Sequence, residues 1–324
     1  MSGKLAFIFP GQGSQYVGMG RQLAERYNVA RSVFAEADEV LGCKLSEIIF
    51  NGTTEELKQT EITQPAILAT SIACLQVLRN EYGLKPEGAA GLSLGEYSAL
   101  VCAGAMSFSE ALPLVQKRGR YMQEALPSGV SGMAALLGLS REKVLEACRL
   151  SAQLGVVEPA NYNAPDQIVV AGELDALRNA CRIAKEFGAK RAIELPVSVS
   201  FHCSLLKNVE TLLDEAMDMV TLESVKLPVV ANVTADYVWT PQEIRLALIR
   251  QVSHPVLWQD SVERLAADGY DAFVEVGPGK SLTGLVKKIL PNHWVHQAED
   301  LESVNNVVTK FSRREDETYA ATGR

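Results

Sequence analysis

Short continuous apolar runs alternate along this chain with longer stretches whose apolar residues recur every three or four positions. The first run is Leu5-Ala6-Phe7-Ile8-Phe9, broken by Pro10-Gly11-Gln12-Gly13-Ser14-Gln15 into a polar loop. Helical spacing follows over residues 19–27, 31–41 and 46–50. Thr63-Gln64-Pro65 is expected to end a loop, and residues 66–82 carry a strong helical pattern. Residues 88–92 read as a buried strand and residues 97–105 as a helix. Residues 107–125 return to helix, with Ser107 or Ser109 as the cap and Glu110 nearby. Such alternation predicts an open, largely parallel sheet.

Between about residues 130 and 196 the pattern changes. A strand over 133–139 is followed by a helix over 140–154 with Ser140 as its cap. Two short strands, 156–161 and 167–171, are joined by the turn signal Asn163-Ala164-Pro165-Asp166. A helix over 175–187, closed by Gly188, and a strand over 191–195 complete a β-α-β-β-α-β order, which matches a ferredoxin-like unit. The expected organisation is therefore a discontinuous large α/β unit, 1–129 and 197–311, carrying an inserted ferredoxin-like unit, 130–196. The cleft between them is the default place for a site. Residues 312–324 are polar and charged and are expected to be a mobile or added tail.

With 324 residues, 47% of them apolar, the chain can bury a large core. The net charge of −8 argues against nonspecific binding to nucleic acid or membrane. It also means that an acidic partner protein would need a local basic patch. Lys117, Arg118 and Arg120 are candidates, with Lys185, Lys190, Arg191, Lys207, Lys280, Lys287 and Lys288. No apolar run looks long enough to span a bilayer, and Leu5–Phe9 after a single Lys4 makes a poor signal peptide, so a cytoplasmic protein is expected. The six cysteines form no C-x-x-C pair and read as reduced structural residues. His293 and His296 have ligand-like spacing, but nothing nearby completes a metal site.

The chemistry centres on Gly91-Leu92-Ser93-Leu94-Gly95-Glu96-Tyr97, a Gly-x-Ser-x-Gly turn between a strand and a helix. That context fits a nucleophile elbow, in which the serine is lifted out of the sheet at a helix N-terminus and the Leu94 N–H is an oxyanion donor. Alone, the pattern is as compatible with a plain Gly/Ser turn. Downstream, His202 follows an alternating, strand-like run in Val197-Ser198-Val199-Ser200-Phe201-His202-Cys203. Later come Gln251-Val252-Ser253-His254-Pro255-Val256-Leu257-Trp258 and Glu275-Val276-Gly277-Pro278-Gly279-Lys280. The Gly11-Gln12-Gly13 loop could pass for a nucleotide loop, but Tyr16 stands where G-x-G-x-x-G needs its last glycine, and no Gly-Lys-Ser/Thr follows.

Together these five ordered motifs resemble the malonyl-CoA:acyl carrier protein transacylase family from about Leu5 to about Leu290. The resemblance implies an α/β-hydrolase-like large domain with a mostly parallel sheet and an inserted ferredoxin-like small domain. It implies a malonyl-serine intermediate and ping-pong transfer from malonyl-CoA to the phosphopantetheine thiol of an acyl carrier protein, for fatty-acid or polyketide synthesis, with no bound cofactor and a monomeric state. Ser93 becomes the nucleophile and His202 the base, with the Gln251 carbonyl orienting the imidazole. Gln12 joins Leu94 in the oxyanion hole. Arg118 grips the malonyl carboxylate, Asn161 and Asn163 line the cleft, and Phe201 crowds an α-methyl branch, which discriminates by about 1–3 kcal/mol. His254 is a rival base in the variable part of its motif. Taken from their own surroundings, His202 could be a satisfied core histidine, Arg118 a surface charge and Asn163 a turn residue. Leu92 departs from the pattern, since histidine usually precedes the nucleophile; Ser200, before Phe201, is a second departure, in the pocket wall. The competing readings are an acyl hydrolase of the same fold, a non-catalytic carrier-docking module, and an unrelated α/β-hydrolase, whose histidine would come late, after an acid.

Overall fold

A computed structural model describes residues 3–197 and 199–322, with side chains through Arg314. Among the described residues, ten strands form two sheets. They are β1 (Lys4–Phe9), β2 (Gly88–Gly91), β3 (Ser131–Leu137), β4 (Val157–Ala164), β5 (Gln167–Glu173), β6 (Arg191–Glu194), β7 (Val229–Val230), β8 (Tyr237–Val238), β9 (Tyr270–Val276) and β10 (Trp294–Ala298). The first sheet has the order β10-β9-β1-β2-β7-β8 and is parallel except for β8. The second, β4-β5-β3-β6, is antiparallel throughout.

The apolar run of β1 is explained by its central place. Leu5, Phe7 and Phe9 face one core, and Ala6 and Ile8 face another on the opposite side of the sheet. A parallel strand covered on both faces reads as continuous hydrophobicity rather than alternation. The segments that follow β1 and β2 at their carboxyl ends, and the helix Ser281–Ile289 that follows β9, line one crevice, where open α/β sheets usually carry their ligands.

The second sheet packs one face, including Ala134, Leu136, Ile168 and Val170, on the helices Arg141–Ser151 and Leu174–Glu186. Its other face turns Met133, Ala135 and Val169 toward the crevice. Its strand order is the one a ferredoxin-like unit takes. It is tied to the larger sheet's side by two backbone hydrogen bonds, Tyr162 N–H to the Val256 carbonyl (2.9 Å) and Val256 N–H to the Ala160 carbonyl (2.8 Å).

Several expectations need correction. The loop expected to end at Pro65 is already helix, since Thr60–Asn80 is continuous with Pro65 inside it. The proline costs one bond to the Glu61 carbonyl, a loss one buried helix can carry. That helix is also long and apolar enough to cross a bilayer by length and composition, which the sequence reading overlooked, but most of its side chains are buried in the core. The segment before His202 is irregular rather than a strand, and Ser198 within it lies outside the described residues. The helix Leu301–Thr322 runs on through the polar segment expected to be a separate tail, of which residues 323 and 324 lie outside the described residues. The expected cap at Ser107 forms a capping box with Glu110.

Candidate active site

The elbow is built by packing. β2 ends at Gly91, and the helix Leu94–Cys102 starts at once. A Cβ on Gly91 would run into the Gly95 carbonyl carbon, and one on Gly95 into the Phe9 carbonyl of β1. Only glycines allow strand and helix to touch this closely. The turn leaves Ser93 at φ 54° and ψ −106°. Among the described residues only three non-glycine residues have positive φ: Ser93, His202 and Ala235. Two of the three are the expected nucleophile and base, and strain of this kind collects where function over-determines the backbone.

Ser93 Oγ lies 2.7 Å from His202 Nε2. His202 Nδ1 lies 2.7 Å from the Gln251 carbonyl oxygen, which can only accept. Nδ1 therefore carries the proton, and Nε2 is free to accept from the serine hydroxyl. Burial, the cationic Arg118 nearby and, in opposition, the Gln251 bond set the imidazole pKa, which falls to about 3. The ring is neutral at pH 7, the form that can take a proton.

Arg118 is the third member. It sits on the buried face of the helix Phe108–Glu124 and is 1% exposed, whereas Lys117 is half-buried and Arg120 exposed. Its Nη2 donates to Ser93 Oγ (3.0 Å) and to Gln251 Oε1 (2.7 Å), and its Nη1 donates to Gln64 Oε1 (2.8 Å). Burial presses its pKa downward, opposed by Tyr97 and Glu96. Arginine remains charged even so.

These groups open on a cleft of about 1010 Å³ between the two sheets. Gln12, Leu94, Asn161, Asn163 and Phe201 all line it. Leu94 is the first helical residue, where N–H groups have no carbonyl one turn earlier. Asn161 and Asn163 project from β4, held in place by the Val256 bridge. Leu92 also lines the cleft, with Lys58 and Lys288. His254 is outside it: its Nδ1 bonds Ser253 Oγ and the Arg250 carbonyl, both at 2.9 Å.

Three buried residues were missed by the sequence reading. Gln64, in the supposed loop, anchors Arg118. Asn232, just past β7, accepts from Ser93 N–H (2.7 Å) and donates to the Gly91 carbonyl (2.6 Å), pinning both sides of the elbow. Glu96 is 1% exposed, and burial pushes its carboxyl up to about 7. Only Glu96 left a signal, as the fourth residue of Ser93-Leu94-Gly95-Glu96.

Residues 6–321 match the family model described as the acyl transferase domain. The malonyl CoA-acyl carrier protein transacylase of Bacillus subtilis (strain 168) is 43% identical over 314 residues, covering 97% of this chain and 99% of that one. The enzyme of the same name from Escherichia coli (strain K12) is 46% identical over 287 residues, covering 89% and 93%. Among solved structures, the malonyl CoA-acyl carrier protein transacylase from Clostridium perfringens superposes with a TM-score of 0.94 at 42% identity, over 98% of this chain and 99% of that one. A malonyl-transacylase solved in complex with its type II polyketide acyl-carrier protein has a TM-score of 0.92 at 41% identity, over 95% and 99%. With the elbow, the histidine and the buried arginine in one cleft and these relatives matching nearly end to end, the chain belongs to the malonyl-CoA:acyl carrier protein transacylase family of acyl transferase domains.

Proposed function

We infer that this chain transfers malonyl from malonyl-CoA to the phosphopantetheine thiol of an acyl carrier protein, supplying fatty-acid or polyketide synthesis. The observation that carries this reading is the single Ser93 oxygen shared by His202 Nε2 and the buried Arg118 guanidinium. Malonyl-CoA is a substrate, and the chemistry requires no bound cofactor.

Ser93 Oγ attacks the thioester carbonyl and passes its proton to His202 Nε2. The oxyanion is met by the N–H groups of Leu94 and Gln12. The C–S bond breaks, and CoA leaves with the proton from His202. The carrier thiol then gives its proton to His202, attacks the malonyl-serine carbonyl, and Ser93 leaves with that proton. Gln251 fixes the tautomer throughout. A neutral carbonyl stabilises imidazolium less than a carboxylate does, so this dyad suits a reactive thioester rather than an amide.

Arg118 selects the substrate. A buried guanidinium left without an anion disfavours uncharged acyl groups, while the malonyl carboxylate pairs with it. That pairing also offsets the positive charge that helps to hold the His202 pKa down. Phe201 narrows the α-carbon site, and Asn161 and Asn163 supply polar contacts. An acyl hydrolase of the same fold is disfavoured by Arg118. The reading includes an α/β-hydrolase-like large domain, 1–129 and 197 through the helix Leu301–Thr322, with a ferredoxin-like domain, 130–196, in a cytoplasmic monomer without nucleic-acid or membrane partners.

The test is intact-mass analysis after mixing with malonyl-CoA. The wild-type chain gains one malonyl group, which is lost on addition of a carrier protein, and Ser93→Ala gains none. A covalent malonyl adduct that persists in Ser93→Ala would refute the assignment.

A further inference from the structure

The motif Ser93-Leu94-Gly95-Glu96 has the spacing of a capping box, in which the glutamate three residues into a helix reaches back to the N-cap N–H. Here it does not. The N-cap Ser93 makes no side-chain cap, and its N–H is taken by Asn232 Oδ1. Glu96 Oε2 instead accepts from the Asn232 N–H (3.0 Å) and from Gln251 Nε2 (2.7 Å). Glu96 is thus a buried carboxylate turned away from its local partner and committed to two residues more than a hundred positions downstream.

The consequence falls on the Gln251 side chain. An amide has a donor end and an acceptor end, and they can exchange by a half-turn. Gln251 Nε2 points at Glu96 Oε2 and also donates to the Ser93 carbonyl (3.0 Å). Its Oε1 is thereby left facing Arg118 Nη2 at 2.7 Å. The reversed amide would set an NH₂ against the guanidinium, donor against donor, between side chains that are fully buried. The Gln251 main chain meanwhile holds His202.

We propose that Glu96 is a positioning residue for malonyl selection: by fixing the direction of the Gln251 amide, it holds Arg118 where the malonyl carboxylate is bound. This rests on the reading that Arg118 takes that carboxylate. The role is one of acceptor geometry. Among the described residues Glu96 Oε1 has no hydrogen-bond partner, and both bonds, from Asn232 and from Gln251, fall on Oε2, so a single acceptor oxygen serves the role. A glutamine at this position can present the same oxygen to Gln251.

The experiment compares kcat/KM for malonyl-CoA and acetyl-CoA, with a carrier protein as acceptor, in wild type, Glu96→Ala, Glu96→Gln, Gln251→Met and the double variant Glu96→Ala/Gln251→Met. The malonyl-to-acetyl ratio does not depend on the fraction of chain that is folded. Glu96→Ala should lower that ratio roughly tenfold or more, the loss expected when one buried hydrogen-bonded partner is removed. Glu96→Gln should recover most of it. Gln251→Met keeps the main-chain carbonyl on His202 and should reproduce the alanine result, with no further fall in the double variant. If Glu96→Ala does not accumulate, Glu96→Met fills similar volume without an acceptor and carries the same expectation. An unchanged ratio in Glu96→Ala, a glutamine variant as unselective as the alanine one, or effects that multiply in the double variant each overturn the proposal. Arg118→Ala is run beside them. If it leaves the ratio unchanged, the malonyl reading itself has failed; if it shifts the ratio while Glu96→Ala does not, only the role of Glu96 has failed.

Discussion

Replacing Arg118 by alanine should invert the acyl preference rather than abolish activity. The side chain is 1% exposed and makes three hydrogen bonds, to Ser93, Gln251 and Gln64. Its removal leaves the malonyl carboxylate desolvated with no cation, a loss of ~2–5 kcal/mol in transition-state binding. That corresponds to a fall of roughly 30-fold to several thousand-fold in kcat/KM for malonyl-CoA. Acetyl has no carboxylate to strand, so its loading should not suffer comparably. A second effect has a definite sign. Arg118 is one of the causes that lower the His202 pKa, after burial. Without it that pKa rises, and the acid limb of the acetyl-loading profile moves to higher pH while staying below the ordinary histidine range. The assay is single-turnover acylation of Ser93 by each thioester between pH 5 and 8, with unfolding followed in parallel, since the Gln64 and Gln251 oxygens lose a donor. Equal proportional losses for both substrates would mean that Arg118 serves folding or CoA binding, and the argument from a buried guanidinium would be wrong.

His202→Ala should slow acyl loading by at least the ~10²-fold typical of a lost general base, while His254→Ala, outside the cleft, changes it only slightly; comparable losses in stopped-flow loading would reverse that assignment. Gly95→Ala should lower stability by roughly 1–3 kcal/mol, because its Cβ meets the Phe9 carbonyl of a central strand that cannot yield; an unchanged urea midpoint would refute this. Glu275 is buried with its pKa raised from 4.5 to about 7, chiefly by desolvation, while it caps the helix Ser281–Ile289 through the Leu282 and Thr283 N–H groups. The folded state therefore holds this proton more tightly than the unfolded chain, and the group's contribution falls as pH rises from about 4.5 to about 7, by on the order of 3 kcal/mol. The Tm of wild type minus that of Glu275→Gln should shrink across that window; a flat or widening gap contradicts the sign.

The local signals were strong enough to read the antiparallel sheet, the first two strands of the larger sheet and the elbow. β1 is a continuous apolar run because it is covered on both faces, and the glycines at 91 and 95 mark where strand and helix must touch. The β-α-β-β-α-β order was legible because each short element carries its own periodicity and turn chemistry. The residues that complete the site were not legible in the same way. Gln64 looked like the end of a loop beside a proline, and Asn232 follows a two-residue strand that no periodicity can announce. The strand expected before His202 failed for a related reason: alternation in sequence does not supply a neighbour to pair with, and the chain there is held instead by the Ser200 N–H on Ser131 Oγ, the Ser200 hydroxyl on the Gly132 and Gly172 carbonyls, and the His202 N–H on the Val252 carbonyl. The sequence by itself determined the periodic elements and the nucleophile's turn, since both follow from contacts between near neighbours in the chain. Only the tertiary structure decided which face of its helix Arg118 presents to Ser93, which carbonyl holds His202, and that Glu96 leaves its own helix terminus for Gln251. Those outcomes depend on buried polar groups finding partners 25 to 155 residues away in the chain, and a buried group takes whichever partner packing brings within reach.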